Sequence, residues 1–141
     1  MFNKILVPID ISQSDSSETS LAAAAQMAGK TGATLVLLNV TADMPNLVAN
    51  RLPTDYLEEA EKAAAKTLSD LAEKHKLASG SYEVRTAHGR AYNEIIESAE
   101  QTGVDLIVIA SHQPGLADYL LGSTAAKVVR HSKCSVLVVR G

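Results

Sequence analysis

The chain has 141 residues, a hydrophobic content of 46% and a formal net charge of −3, the size and composition of one folded domain. This slightly acidic balance disfavours general nucleic-acid binding and attraction to an anionic membrane surface. Apolar runs such as residues 35–38 and 136–139 have the length of strands, well short of the roughly 20 residues that a membrane helix requires. The first residues show no secretory leader pattern. We therefore expect a cytoplasmic protein without membrane or nucleic-acid partners.

Apolar runs and amphipathic segments alternate along the chain. Short apolar runs predict strands over residues 5–9, 34–40, 82–87, 104–110 and 135–140. Cap residues and helical spacing predict four helices: from the cluster 14–18 to Gly29, from Thr54 as the cap after Pro53, around Ile95, and over residues 124–131. Residues 41–53 contain two prolines and no regular period, so they are predicted to form a long loop.

The order of these elements is β-α-β-α-β-α-β-α-β. Strands that alternate with helices pair in parallel through right-handed crossovers. The sequence therefore predicts an α/β fold in which a doubly wound, open, five-stranded parallel sheet is covered on both faces. A ligand of such a sheet binds beyond the carboxyl ends of the strands, where the strand order reverses. We expect residues 1–141 to form a single domain with its site at this edge.

Two residue groups at this edge could bind a nucleotide. Asp10 follows the first strand and could accept hydrogen bonds from a ribose or an adenine edge, or it could shape a turn or cap a helix. Gly122, Ser123 and Thr124 open the last helix, where backbone N–H groups and hydroxyls could hold phosphate. The alternative for Ser123 is an ordinary N-cap. Each group alone therefore leaves both interpretations open.

The third group follows the fourth strand, where Ala110 and Ser111 precede His112. The imidazole could contact phosphate or ribose or transfer a proton, but no cysteine or carboxylate stands at metal-ligand spacing from it. A ligand contact is thus favoured over catalysis at His112, and no metal site is predicted. His88, in a turn beside Gly89, is a weaker candidate for a ligand contact.

Four segments in combination resemble the universal stress protein family, over essentially the whole chain. The resemblance implies a flavodoxin-like, Rossmann-like three-layer αβα sheet. It also implies a homodimer joined through the last strand of each subunit and, in many members, ATP at the carboxyl ends of the strands. The four segments are Ile5-Leu6-Val7-Pro8-Ile9-Asp10, Asp105-Leu106-Ile107-Val108-Ile109-Ala110-Ser111-His112, Leu121-Gly122-Ser123 with Val128-Val129-Arg130-His131, and Cys134-Ser135-Val136-Leu137-Val138-Val139.

The loop after the fourth strand departs from the motif of nucleotide-binding members, which reads Gly, two residues, Gly, nine residues, Gly, then Ser or Thr. The final pair falls on Gly122 and Ser123, but Ala110 and Gln113 hold the first two glycine positions, and the loop is one residue shorter. Where left-handed geometry is required, losing glycine costs about 1 to 2 kcal/mol. Residues 110–114 and 119–123 look like the F- and G-type bacterial members, which favours retained nucleotide binding.

The resemblance and the edge residues together predict an adenine-nucleotide-binding stress-response module. We expect a dimeric, nucleotide-dependent switch with slow or no hydrolysis, which takes ATP, ADP or AMP, with Mg²⁺ arriving on ATP. The alternative is a stress interaction protein that binds no nucleotide and recruits unknown partners through its dimer surface. An enzyme that uses His112 or His88 is least favoured. The predicted nucleotide contacts are Pro8, Ile9, Asp10, Val40, Ile109, Ala110, Ser111, His112, Gln113, Gly122, Ser123 and Thr124. The predicted dimer interface is Val136, Leu137, Val138 and Val139.

Overall fold

Five strands and the helices between them follow the predicted alternation. The computed structural model describes residues 1–42, 46–111 and 121–140. The strands are β1 (Lys4–Pro8), β2 (Thr34–Thr41), β3 (Tyr82–His88), β4 (Leu106–Ala110) and β5 (Ser135–Val139). The helices are α1 (Ser14–Thr31), α2 (Asn46–Ala49), α3 (Tyr56–Lys74), α4 (Ala91–Thr102) and α5 (Ser123–His131), and a 3₁₀ turn covers Ile11–Gln13.

All five strands pair in parallel, in the order β3-β2-β1-β4-β5. The chain therefore builds outward from β1 to β3, then crosses to the other side of β1 for β4 and β5. The prediction of a doubly wound, open, parallel sheet is confirmed. The reversal of direction falls between β1 and β4, the place where ligands bind in folds of this kind.

The core has two layers, one on each face of the sheet. Alternate residues of a strand point to opposite faces, so Ile5 and Val7 of β1 pack on one face and Leu6 on the other. Leu21 of α1 and Leu68 of α3 cover the first face, whereas α4 and α5 cover the second. Central strands buried on both faces must be apolar at every position, which explains their continuous apolar runs. Each fully buried large side chain contributes about 1.5 to 3 kcal/mol.

Two local predictions are wrong. Residues 41–53 are predicted to be a loop without regular structure, but Asn46–Ala49 forms the short helix α2. A helix of one turn is too short to produce a readable period. The predicted cap Thr54 is also incorrect, because α3 begins at Tyr56 with Asp55 in the N-cap position. The N–H of Tyr56 already bonds the carbonyl of Pro53 at 3.1 Å, so a turn precedes the helix.

The remaining boundaries differ from the prediction by two residues or fewer, the usual uncertainty of element ends. Ile9, for example, lies one residue beyond β1, although its N–H still bonds the carbonyl of Leu38 at 2.7 Å. Helix α5 begins at Ser123 instead of residue 124, with Gly122 as its N-cap. In the described ranges, no helix combines the length and apolar character that crossing a membrane requires.

Candidate functional site

A cavity of about 580 Å³ opens where β1, β2 and β4 end, a volume typical of ligand pockets. It lies at the reversal point of the sheet. Its described lining residues include polar groups from four parts of the chain. They are Pro8, Ile9, Asp10, Ile11, Ser12, Ser17, Leu38, Asn39, Val40, Thr41, Ala42, Ala91, Ile95, Ile109, Ala110, Ser111, Gly122, Thr124 and Ala125.

The crevice exists because β1 and β4 part toward their carboxyl ends. They pair only at Ile5 with Leu106 and Leu6 with Ile107, whereas β1 pairs with β2 as far as Pro8. Backbone N–H groups alternate between the two sides of a strand, and the N–H of Ile9 points to β2. The nitrogen of Pro8 consequently faces β4, and proline has no hydrogen to donate. The proline thus ends the pairing and leaves room between the strands.

Asp10 forms a compact turn at the end of β1. Its Oδ1 accepts a hydrogen bond from the backbone N–H of Ser12 at 3.0 Å and from the Ser12 hydroxyl at 2.6 Å. The N–H of Asp10 donates to Oγ of the buried Ser17 on α1 at 2.9 Å. The carboxylate itself is exposed at the cavity rim. It therefore shapes the turn and still presents oxygen atoms to a ligand.

Asn39 brings a buried amide to the cavity. Only 5% of the residue is exposed, and its Nδ2 donates to the carbonyl of Ile9 at 2.9 Å. This bond ties the end of β2 to the residue just beyond β1. A buried polar side chain in an otherwise apolar strand requires hydrogen-bond partners, and Asn39 has found one in the turn that carries Asp10.

The start of α5 forms another wall of the cavity. Ser111 leaves β4 with its N–H bonded to the carbonyl of Val139, and its own carbonyl accepts the N–H of Gly122 at 3.1 Å. Gly122 is the N-cap and has no side chain with which to cap the helix. Because the first N–H groups of a helix have no partner within it, the end lined by Thr124 and Ala125 carries partial positive charge.

Helix α4 also begins at the cavity, which Ala91 and Ile95 line. Its position is fixed by Gly89, whose N–H donates to the carbonyl of Thr41 at 2.9 Å. The φ of Gly89 is +142°, and an added Cβ would lie 2.7 Å from Oε1 of Glu94. The end of the Glu94 side chain can move, but a φ in this range favours glycine. The hydrogen bond from Gly89 to Thr41 therefore holds the start of α4 beside the end of β2.

The charges around the cavity are few. Among the described lining residues Asp10 alone is ionisable. The neighbour of Ser17 on α1, Glu18, lies 2.7 Å from Nζ of Lys74 and 3.3 Å from Nε2 of His75. The hydrogen bond from Lys74 is the main cause that lowers the pKa of Glu18. This contact joins α1, which carries Ser17, to the end of α3. No group of three or more His, Cys, Asp or Glu residues that could bind a metal occurs within the described ranges.

Most of the residues predicted from sequence to bind nucleotide meet at this cavity. Ser123 starts α5 without lining the cavity, and His112 and Gln113 lie outside the described residues. His88 ends the edge strand β3 and does not line the cavity either. The predicted residues that line it are Pro8, Ile9, Asp10, Val40, Ile109, Ala110, Ser111, Gly122 and Thr124.

The sequence reasoning missed Asn39, Ser17 and the beginning of α4. A signal for Asn39 is present, because it is the first polar residue after the apolar run of residues 35–38. Ser17 gives no such signal, since its role depends on a contact with the backbone of Asp10. Ala91 is a small residue whose relevance comes only from the topology, which brings helix starts to the same edge as strand ends.

The departure at Ala110 does not strain the backbone. Ala110 ends β4 in register with Val139, and Lys76 is the one residue other than glycine with positive φ in the described ranges. Ala110 has the extended conformation of a strand residue, which is open to any amino acid. The cost of left-handed geometry therefore does not arise at Ala110.

Strand β5 is an outer strand of the sheet, paired with β4. Leu137 keeps 39% of its surface exposed, and Val129 on the neighbouring helix α5 keeps 47%. An apolar outer strand of this kind is available for pairing with another chain. The predicted dimer residues therefore lie on an accessible edge, and dimer formation itself stays a prediction.

Comparison with known proteins identifies the family. The sequence profile of the Universal stress protein family matches residues 1–140. The chain belongs to the universal stress protein family. This membership agrees with the reversal of strand order between β1 and β4. It also agrees with the four sequence segments on which the resemblance to the family rests.

Two relatives and one solved structure illustrate the likeness. Universal stress protein YxiE of Bacillus subtilis is 35% identical over 152 residues, covering 99% of this chain and 100% of the relative. Universal stress protein G of Shigella flexneri is 29% identical over 143 residues with the same coverage, which fits the resemblance to G-type members. A universal stress protein solved in complex with cAMP is 25% identical, with a TM-score of 0.74 over 99% of this chain and 97% of that one.

Proposed function

We propose that this universal stress protein binds an adenine nucleotide in the cavity at the carboxyl end of its sheet. The observation that carries the proposal is the convergence of Asp10, the buried Asn39 and the start of α5 on one cavity of about 580 Å³. A related protein of the same fold was solved with cAMP. The single domain then acts in the cytoplasm as a nucleotide-dependent switch in a stress response.

The nucleoside half of the site is formed by β1 and β2. Val40 and Ile109 supply apolar surface for a purine ring, and Asp10 at the rim supplies acceptors for ribose hydroxyls. The turn of Asp10 is preformed by its bonds to Ser12 and Ser17, so little ordering accompanies binding. Preorganisation of this kind favours binding even where contacts are few.

The phosphate half of the site is the start of α5. Its backbone N–H groups, Gly122 and the hydroxyl of Thr124 receive an anion without a basic side chain. The described lining offers a single carboxylate, Asp10, so Mg²⁺ would come with ATP and would neutralise part of the phosphate charge. We propose binding with slow hydrolysis at most, since Asp10 is the one ionisable residue of the described lining and is assigned to the ribose.

Mass spectrometry of the purified, denatured protein tests the proposal. ATP, ADP or AMP should be released in an amount that approaches one per chain. A matched preparation of Asp10→Ala should carry less, because the turn and its ribose acceptors are lost together. Absence of nucleotide from the wild-type protein, combined with no thermal shift at millimolar ATP, would contradict the proposal and favour a stress interaction protein that recruits partners directly.

We propose further that two copies pair through Val136, Leu137, Val138 and Val139 of β5. The exposed fraction of Leu137 and the free outer side of β5 support this. Sedimentation analysis should give the mass of a dimer at micromolar concentration, and Leu137→Lys should shift it toward the monomer. A monomeric wild-type protein under these conditions would contradict the pairing.

A further inference from the structure

The peptide group between Ile9 and Asp10 is held from both sides by buried side chains. Its carbonyl oxygen accepts a hydrogen bond from Nδ2 of Asn39 at 2.9 Å, and its N–H donates to Oγ of Ser17 at 2.9 Å. Ser17 and Asn39 each have a relative exposure of only 5%. Because the C=O and N–H bonds of one peptide group point in opposite directions, the two contacts together fix the orientation of its plane.

The two side chains come from different elements of the fold. Asn39 lies on β2 and Ser17 lies on α1. A rotation of the peptide between Ile9 and Asp10 would take both side chains away from these hydrogen-bond partners. Buried polar groups are costly to leave without a partner, so the rotation is opposed from both sides.

Asp10 itself has little else to hold it. The residue is exposed at the cavity rim, and its Oδ1 accepts hydrogen bonds from the N–H and the hydroxyl of Ser12, two residues further along the same turn. Packing does not fix the direction of an exposed side chain. That direction therefore depends on the backbone that carries Asp10, which begins at the peptide held by Ser17 and Asn39.

We infer that Ser17 and Asn39 are positioning residues, which raise the affinity for nucleotide by fixing the direction in which Asp10 presents its carboxylate. This inference rests on the proposed nucleotide site. A turn that is ordered before the ligand arrives needs no ordering during binding, and affinity rises accordingly. Supporting hydrogen bonds of this kind hold a contacting group in its productive geometry. Both residues thus act on the ligand through Asp10.

A double-mutant cycle tests this role, because a residue that acts through Asp10 must lose its effect when the carboxylate is absent. Calorimetry gives the dissociation constant for ATP of four nucleotide-stripped proteins: wild type, Ser17→Ala, Asp10→Ala and the variant that combines both changes. Ser17→Ala should weaken ATP binding about fivefold in the wild-type background. The same change should cause no further loss in the Asp10→Ala background.

The matched control is Ser20→Ala. Ser20 is a fully buried serine on the same helix, and its hydroxyl donates to the carbonyl of Ser17 at 2.8 Å without lining the cavity. Ser20→Ala should therefore leave the affinity for ATP at the wild-type value. Asn39→Leu removes the donor to Ile9 and should show the same dependence on Asp10 as Ser17→Ala.

The other outcomes separate this inference from the proposed function. Wild-type affinity in Ser17→Ala overturns the positioning role. A loss of equal size with and without the Asp10 carboxylate also overturns it, because the hydroxyl would then act directly on the ligand or on the whole fold. Both results leave the nucleotide site in place. Failure of the wild type to bind ATP removes the site and this inference together.

A second readout uses the wild-type protein alone. Hydrogen exchange of the Asp10 backbone N–H, followed by nuclear magnetic resonance, should be slow before any nucleotide is added, because this N–H is bonded to the buried Ser17. Rapid exchange in the nucleotide-free protein that becomes slow only with ATP would show that the ligand forms the turn. That result would overturn the inference.

Discussion

At the amino end of the sheet the carboxylate of Asp105 closes the gap between β1 and β4, whereas at the carboxyl end the same strands part around a cavity. Asp105 accepts the N–H groups of Asn3, at 2.9 and 3.1 Å, and of Lys4, at 3.1 Å, and its own N–H bonds the carbonyl of Lys4. The opposite end places the exposed Asp10 and the start of α5 at the cavity. One end of the sheet thus holds the strands together, while the other end leaves polar groups for a ligand.

The largest expected loss of stability comes from a substitution in the core at the amino end of the sheet. Leu35 is fully buried and pairs with Ile5 one residue from the start of β2. Leu35→Ala should lower the free energy of unfolding by about 2 to 5 kcal/mol, because it removes buried surface and leaves a cavity. Urea denaturation measures the loss. The dissociation constant for ATP should stay unchanged, and a weakening of ATP binding in the folded variant would contradict the separation of the two ends.

The hydrogen bonds of the Asp105 carboxylate should make a smaller, pH-dependent contribution to the free energy of unfolding. The hydrogen bond from Asn3 is the main cause that lowers the pKa of Asp105 below its usual 3.8. The folded state therefore binds this proton less readily than the unfolded state does. The stability from the carboxylate is full above the unfolded pKa and is lost as the pH falls through the folded pKa.

Asp105→Asn should thus cost about 1 kcal/mol at pH 7, a modest value because the group is partly exposed. The difference from the wild type should shrink as the pH is lowered from about 5 to 2. Urea denaturation over this pH series measures it. A difference that stays constant across the series would show that the charge of Asp105 plays no part.

The smallest expected change in stability is that of a substitution at Pro8, where β1 and β4 separate. Pro8→Ala restores an N–H that faces β4, so pairing between the strands can extend and the crevice can narrow. We expect a change in unfolding free energy of below about 1 kcal/mol and weaker ATP binding. Comparative calorimetry measures the affinity. Unchanged ATP binding would mean that the proline does not set the width of the crevice.

The sheet could be predicted from the sequence, and the reason is physical. Strands such as β2 are buried on both faces and must be apolar throughout, so they stand out against the amphipathic helices between them. The strict alternation of the two then leaves few topologies. The helix α2 could not be predicted, because four residues contain little more than one turn.

The site could be predicted only in part. Asp10 follows β1 and Gly122 precedes α5, at element ends that the sequence marks, so their meeting at the carboxyl edge follows from the fold. The contact of Asn39 with Ile9 and that of Ser17 with Asp10 join residues that no local pattern connects. The hydrogen bond from the N–H of Asn3 to the carboxylate of Asp105 likewise joins residues that are 102 positions apart in the sequence. Such contacts appear only once the strands are assembled.

The central claim is that the carboxyl end of the sheet is a nucleotide site and the amino end is not. The most direct test is calorimetric titration of nucleotide-stripped wild type, Asp10→Ala and Asp105→Asn with ATP and Mg²⁺. We predict saturable micromolar binding that weakens about tenfold in Asp10→Ala and is unchanged in Asp105→Asn. No heat from the wild type at millimolar ATP, or an equal loss in both variants, would contradict it.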